Sequence, residues 1–194
     1  MILSSLHWPQ IAALLLLLQR GIEELYSQRN TRALLAEGGY EIGRSYYPVV
    51  ATTHIGWIAS IFFLISPGAE IYMPAAILFG LLQIIRYWVI GTLGRYWTHR
   101  IITLDSGPVI RSGPYRYIRH PNYAVTIAET FLLPAVFGSL ALGVIMGAIW
   151  SAVLVYKIAL EDEGLAQRRW RPVTHSNCAT RSRNSPQARP PRIP

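Results

Sequence analysis

The chain has 194 residues, 52% hydrophobic and 14% charged, which leaves room for one domain and is too apolar for an ordinary water-soluble one. Its net charge of +8 is no nucleic-acid signature, because up to Gln167 eleven Lys/Arg face ten Asp/Glu, while seven later arginines face no acid. One cysteine, Cys178, excludes a disulfide framework and a cysteine zinc site, and no metal centre is expected.

A membrane helix needs about 20 apolar residues, and five segments approach that length. The first runs from Ile2 to Leu18 and is expected to end at Gln19-Arg20-Gly21; it lacks the basic start and small-residue cleavage site of a signal peptide. The second, Pro48 to Ile65, opens on a proline and stops at Ser66-Pro67-Gly68. The third runs from Pro74 to about Gly94, and the fourth and fifth, Tyr123 to Phe137 and Leu140 to Ile158, are joined only by Gly138-Ser139. So short a connection predicts an antiparallel hairpin, with a short fourth helix that is tilted or covered by its neighbours.

The expected fold is thus all-α, an integral membrane bundle of about five transmembrane helices whose last two form a hairpin. Three regions are expected: residues 1–94 with three helices, 95–166 with a polar loop, the hairpin and an acidic helix end, and 167–194 as a disordered basic tail. Basic residues in short loops sort to the cytoplasmic side. Arg20, Arg29, Arg32 and Arg44 follow the first segment, and Arg95, Arg100, Arg111, Arg116 and Arg119 follow the third, whereas Ser66 to Met73 has none. That pattern predicts an N-terminus outside and a cytoplasmic C-terminus. Membrane lipid is the expected neighbour, and no nucleic-acid partner is expected.

The stretch from Arg95 to Tyr123 is dense in arginine, aromatics and Gly-Pro turns. Interface anchoring would use the same residues. Arg119-His120-Pro121 opens the fourth helix: the proline disfavours helical backbone at His120, and the free amides of the helix start favour an anion. Arg119 could add a bidentate contact to a carboxylate. Beyond the fifth helix come Glu161, Asp162 and Glu163, for which a solvated end with Lys157 pairing to Glu161 is the simpler reading. A hairpin would nonetheless bring these acids beside the Arg-His-Pro element, and such a pocket suits a zwitterionic amino-acid moiety.

The segment GPYRYIRHPNY, an apolar hairpin and then KIALEDEGL resemble the isoprenylcysteine carboxyl methyltransferase family and its relatives, including phosphatidylethanolamine methyltransferases. The family pattern of Arg-His-Pro-x-Tyr, hydrophobic hairpin and paired acid falls here on Arg119, His120, Pro121 and Tyr123, with Glu161 and Asp162 as the acid pair. Aspartate in the second acid position is a departure, with Glu163 as the substitute acid. The resemblance implies S-adenosylmethionine as cofactor, held by Arg119, His120, Pro121, Tyr123, Tyr115, Glu161 and Asp162, and methyl transfer to a lipophilic acceptor. The run GGYEIGRSYYPVVATTH resembles bacterial members that lie beside polyketide synthases and methylate alkylpyrones or alkylresorcinols. Two acceptors stay open, a prenylcysteine-like carboxylate and such a hydroxyl. A hydroxyl would need a base, and Glu129 inside the fourth helix is the candidate, with a packing role beside Thr126 or Thr130 as its alternative. Arg119 and Glu129 are the expected catalytic residues. His54 and Arg86 are expected to be structurally paired. A small transporter using His54, Arg86 and Glu129, or a sterol-reductase-like membrane enzyme, are the rival readings.

Overall fold

The computed structural model describes residues 6–104, 107–108 and 110–170, with side chains described up to Leu160. The expected disordered tail lies, from residue 171 onward, outside the described residues. The described residues form five α-helices: α1 (Trp8–Ala36), α2 (Tyr47–Leu64), α3 (Met73–Leu93), α4 (Pro121–Val136) and α5 (Leu140–Trp170). The all-α membrane bundle is borne out. Three stretches, Arg44–Leu64, Met73–Tyr96 and Leu140–Leu160, are long and apolar enough to cross a membrane. α1 carries too many polar groups to join them, and α4, at 16 residues, is too short.

The first helix corrects the sequence reading. Instead of ending near Leu18 it continues for 29 residues through Gln19-Arg20-Gly21, so Arg20, Arg29 and Arg32 belong to a helix and not to a loop. Its buried positions include Ala13, Leu16, Arg20, Glu23, Ser27, Asn30 and Leu34, spaced by three and four, with Pro9, Gln10 and Thr31 beside them. That is one helical stripe, and its lower half is polar. Leu14, Leu15, Leu18, Ile22 and Leu25 point outward. Outward apolar side chains with an inward polar stripe suit a helix beside lipid, and α3 repeats the pattern, with Arg86 buried and Leu81, Ile84 and Ile85 exposed.

Two further features were not anticipated. Tyr40–Ile42 (β1) pairs antiparallel with Ile101–Thr103 (β2), Glu41 opposite Ile102, and this ribbon ties the α1–α2 connection to the α3–α4 connection at one end of the bundle. Arg100 on its flank reaches Glu41 at 3.1 Å and lies 4.7 Å over the Tyr47 ring. In addition, α5 carries the expected acidic helix end about one turn further, to Trp170. The apolar core gathers Leu16 from α1, Trp57 and Ile61 from α2, and Leu133 and Val136 from α4.

Below that core lie four buried charges. Arg86 of α3 donates to both oxygens of Glu23 on α1, at 2.7 and 2.5 Å, and to Glu129 of α4 at 3.0 Å. Arg20 donates to Glu23 at 2.6 Å and to Glu129 at 2.7 Å, and Gln83 completes Glu129 at 2.9 Å. Two cations and two anions cancel, and three helices are fastened together. Charges taken out of water are tolerated only when their partners neutralise them. Arg86 is therefore paired, as expected. Glu129 is fully buried, and its partners are these cations and Gln83, whereas Thr126 and Thr130 bond the carbonyls of Asn122 and Thr126.

Two stability predictions follow from this packing. Glu129→Ala leaves two buried guanidiniums facing one carboxylate and costs about 3–5 kcal/mol, read as a lowered melting temperature and lost monodispersity in detergent. At Gly143 an added Cβ would lie 2.6 Å from the carbonyl oxygen of Phe131, while at Gly147 the nearest atom is 3.8 Å away. Gly143→Ala therefore forces the α4–α5 hairpin apart and costs about 1–3 kcal/mol in the same assay, whereas Gly147→Ala is tolerated.

Candidate functional site

Two cavities of about 280 Å³ each meet at the ribbon end of the bundle. Asn122 and Tyr123 of α4 and Lys157 of α5 belong to the walls of both. Their linings differ. One cavity is formed by the loop around Trp97, the strand β2, Tyr115, Arg119 and His120. The other lies between α1, α2 and α5 and is walled by Leu17, Val50, Ile55, Ile58, Trp150 and Leu154. Leu17 and Ile55 are also exposed on the outside of the bundle, so this apolar cavity reaches the flank that faces lipid.

The polar cavity collects four of the residues expected from the sequence, Tyr115, Arg119, His120 and Tyr123. Pro121 is the first residue of α4, and His120 before it has φ −126° and ψ 62°, outside the helical region as the proline requires. The His120 and Tyr123 rings stack in parallel at 5.1 Å. Tyr115 stands on a short 3-10 turn, Gly113–Arg116, half-buried, and Arg119 keeps its guanidinium exposed at the cavity edge. The turn packs against α3 at Gly113, whose φ is +54° and where an added Cβ would come within 2.8 Å of Thr92 Oγ1, so only glycine fits.

The hairpin brings the end of α5 to the same place. Lys157 Nζ lies 5.1 Å above the Tyr123 ring and donates to the carbonyl of His99 at 3.1 Å. Glu161 and Asp162 follow on α5, with Glu161 one helical turn beyond Lys157, roughly 6 Å along the axis. Their side chains lie outside the described residues. Glu129, expected as a base, is not brought to this site: it lines neither cavity and is consumed by the buried charge cluster.

Several site residues escaped the sequence reading. Asn122 Oδ1 and Trp97 Nε1 are buried without hydrogen-bond partners among the described residues, an acceptor and a donor on the walls of the polar cavity. The signal for Asn122 was its place inside the motif, and Lys157 is the sole lysine of the sequence, set in an apolar helix. His54 was expected to be paired. It has no hydrogen bond among the described residues, its Nε2 is buried, and its ring packs edge-on against Trp57 and Trp150 at 5.9 and 4.4 Å, on the wall of the apolar cavity.

A third group also faces the apolar cavity. Glu24 accepts from Tyr47 at 2.6 Å and from Gln28 at 2.9 Å, and lies 2.7 Å from His99 Nδ1. Burial, opposed by the hydrogen bond to Glu24, holds the His99 imidazole below its ordinary pKa. The ring is therefore mostly neutral at pH 7.

Residues 75–167, which include this polar cavity and the α4–α5 hairpin, match the isoprenylcysteine carboxyl methyltransferase (ICMT) family. The chain is also similar to "Uncharacterized protein YpbQ" of Bacillus subtilis, 29% identical over 84% of this chain and 98% of the relative. A second relative, "Uncharacterized protein" of Haemophilus influenzae, is 25% identical over 72% of this chain and 84% of its own. No solved structure matches.

Tyr47→Phe removes the 2.6 Å hydrogen bond to Glu24 and keeps the ring beneath Arg100. It is expected to lower stability by about 0.5–1.5 kcal/mol, measured by thermal denaturation in detergent.

Proposed function

We propose that this chain, whose residues 75–167 match the isoprenylcysteine carboxyl methyltransferase family that its sequence resembles, is an S-adenosylmethionine-dependent membrane methyltransferase acting on oxygen of a lipophilic acceptor. The observation that carries the proposal is the wall of Asn122, Tyr123 and Lys157, which a polar cavity and a lipid-facing apolar cavity share. A methyltransferase for a greasy acceptor needs that adjacency: a water-soluble cofactor on one side, a hydrocarbon-bearing molecule on the other, and the reacting atoms between them.

The polar cavity fits such a cofactor. Its orphaned donor and acceptor, Trp97 Nε1 and Asn122 Oδ1, call for a ligand with both kinds of polar group. Arg119 and the amide end of α4 would take the carboxylate, Glu161 and Asp162 the ammonium, and the faces of Tyr115 and Tyr123 would lie near the sulfonium. S-adenosylmethionine, when bound, supplies an electrophilic methyl group. The chain's own task is then alignment in a space closed to water, with Tyr123 and Lys157 setting the line between the cavities. The acceptor would be either a prenylcysteine-like carboxylate or the hydroxyl of an alkylpyrone or alkylresorcinol, its chain lying against Leu17, Ile55 and Ile58.

The same reading sets sidedness. A site and C-terminus at the cytoplasmic face and an N-terminus outside are supported by five arginines, Arg95, Arg100, Arg111, Arg116 and Arg119, in the α3–α4 connection against none in the turn between α2 and α3.

Purified protein is expected to bind S-adenosylmethionine by calorimetry, with Arg119→Ala and Glu161→Ala each weakening it roughly tenfold or more, about 1.4 kcal/mol. Radiolabelled methyl transfer in membranes then reads the acceptor. Absence of binding in the intact chain would refute the assignment, and binding without transfer to either acceptor class would refute both acceptors.

A further inference from the structure

His99 is held at three points, and all of them leave one atom of its ring for another use. Its backbone N–H donates to Ser27 Oγ at 2.8 Å, its carbonyl accepts from Lys157 at 3.1 Å, and its ring Nδ1 meets Glu24 at 2.7 Å. The Trp97 ring lies against it edge-on at 4.7 Å. Glu24 is an acceptor, since Tyr47 and Gln28 both donate to it, so the ring proton of a neutral His99 belongs on Nδ1. Nε2, across the ring, then keeps its lone pair. No hydrogen bond to Nε2 exists among the described residues, and His99 lines the apolar cavity one residue from Thr98 and Arg100 on the polar side.

We propose that His99 is the proton acceptor for a hydroxyl-bearing molecule seated in the apolar cavity, with Glu24 as the residue that positions its ring. The substrate class is a weakly acidic hydroxyl, phenolic or enolic, on an apolar body. A carboxylate acceptor arrives already ionised and has no use for an oriented, neutral imidazole, whereas a phenol is mostly protonated at pH 7 and is a poor nucleophile until its proton leaves. The arrangement has the logic of a carboxylate that fixes the tautomer of a histidine, which then takes a proton from an oxygen.

The balance is simple. The acceptor's O–H bond breaks and its proton goes to His99 Nε2, while the oxygen's electron pair forms the new bond to the methyl carbon. The electrons of the broken carbon–sulfur bond stay on sulfur, and His99 returns the proton to water. This transfer step rests on the methyltransferase reading above, but proton acceptance by His99 does not.

The charged and titratable groups around His99 come from every neighbouring helix: Glu24 and, more distantly, Glu23 of α1, Tyr47 and His54 of α2, and Arg86 of α3. Tyr123 of α4 and Lys157 of α5 complete the set. Because burial lowers the His99 pKa, the ring is in its neutral form at pH 7, with the Nε2 lone pair available. Transfer to a hydroxyl acceptor should therefore hold a plateau at pH 7 and fall only as pH drops through that lowered pKa.

The test uses the full chain in detergent micelles without cofactor, and 2-nitro-4-nonylphenol, whose anion is yellow. Bound to the wild type, the probe is expected to ionise about one pH unit below its value in protein-free micelles, a tenfold shift in the equilibrium. Glu24→Gln should reduce the shift and His99→Gln abolish it, with probe binding retained, as read by tryptophan quenching. With cofactor added, His99→Gln should lower kcat for a phenolic acceptor at least a hundredfold. No shift in the wild type, or an unchanged shift in a folded His99→Gln that still binds the probe, overturns the proposal; should His99→Gln not fold, a full-sized shift in Glu24→Gln overturns it instead. A wild type that shows the shift, lost in His99→Gln, yet binds no S-adenosylmethionine supports the proton acceptor and refutes the methyltransferase reading, so the two failures are distinguishable.

Discussion

Four buried charges set the terms for the rest of the structure. Arg20 and Glu23 on α1, Arg86 on α3 and Glu129 on α4 are each costly inside an apolar bundle and become tolerable only together. Their mutual neutralisation fixes the rotation and depth of three helices, because bonds between 2.5 and 3.0 Å accept little slippage. Arg20 and Arg86 also reach the apolar cavity, so the cluster is the floor on which that cavity rests. Such locked pairs are poor material for a transport pathway, which needs charges that exchange partners.

Above that floor, the ribbon of β1 and β2 and the α4–α5 hairpin close the site. The ribbon carries the loop with Trp97, His99 and Arg100 over the bundle end, and the hairpin raises Tyr123 and Lys157 to meet it. None of these elements is a site alone. Their junction is two unlike cavities with a common wall, which is the geometry that the proposed function requires.

The amino-acid pattern made some of this legible and hid the rest, for physical reasons. α2, α3 and α4 and the start of α5 follow from continuous apolar runs and their Pro and Gly punctuation, and the hairpin from Gly138-Ser139. The length of α1 was hidden because Gln19-Arg20-Gly21 reads as a stop when polar residues are assumed to face water. The buried spacing of Arg20, Glu23, Ser27 and Asn30 shows that they face inward, and that periodicity was present in the sequence. The motif from Tyr115 to Tyr123 was legible, and Tyr115, Arg119, His120, Asn122 and Tyr123 of it line the polar cavity. Glu129 was legible as an unusual buried acid but not as the partner of Arg20 and Arg86, since pairing between residues 109 and 43 positions apart leaves no local trace. His99 and Glu24, 75 positions apart, were invisible for the same reason.

In the proposed methyltransferase the polar cavity takes the cofactor and the apolar cavity the acceptor. A cryo-electron microscopy or crystal structure with S-adenosylhomocysteine tests this directly. Ligand density bounded by Tyr115, Arg119, His120 and Tyr123, with its sulfur toward the wall of Asn122 and Lys157, is the predicted result. Density instead among Leu17, Ile55 and Trp150, or at neither cavity, would contradict the assignment of the two chambers and the chemistry built on it.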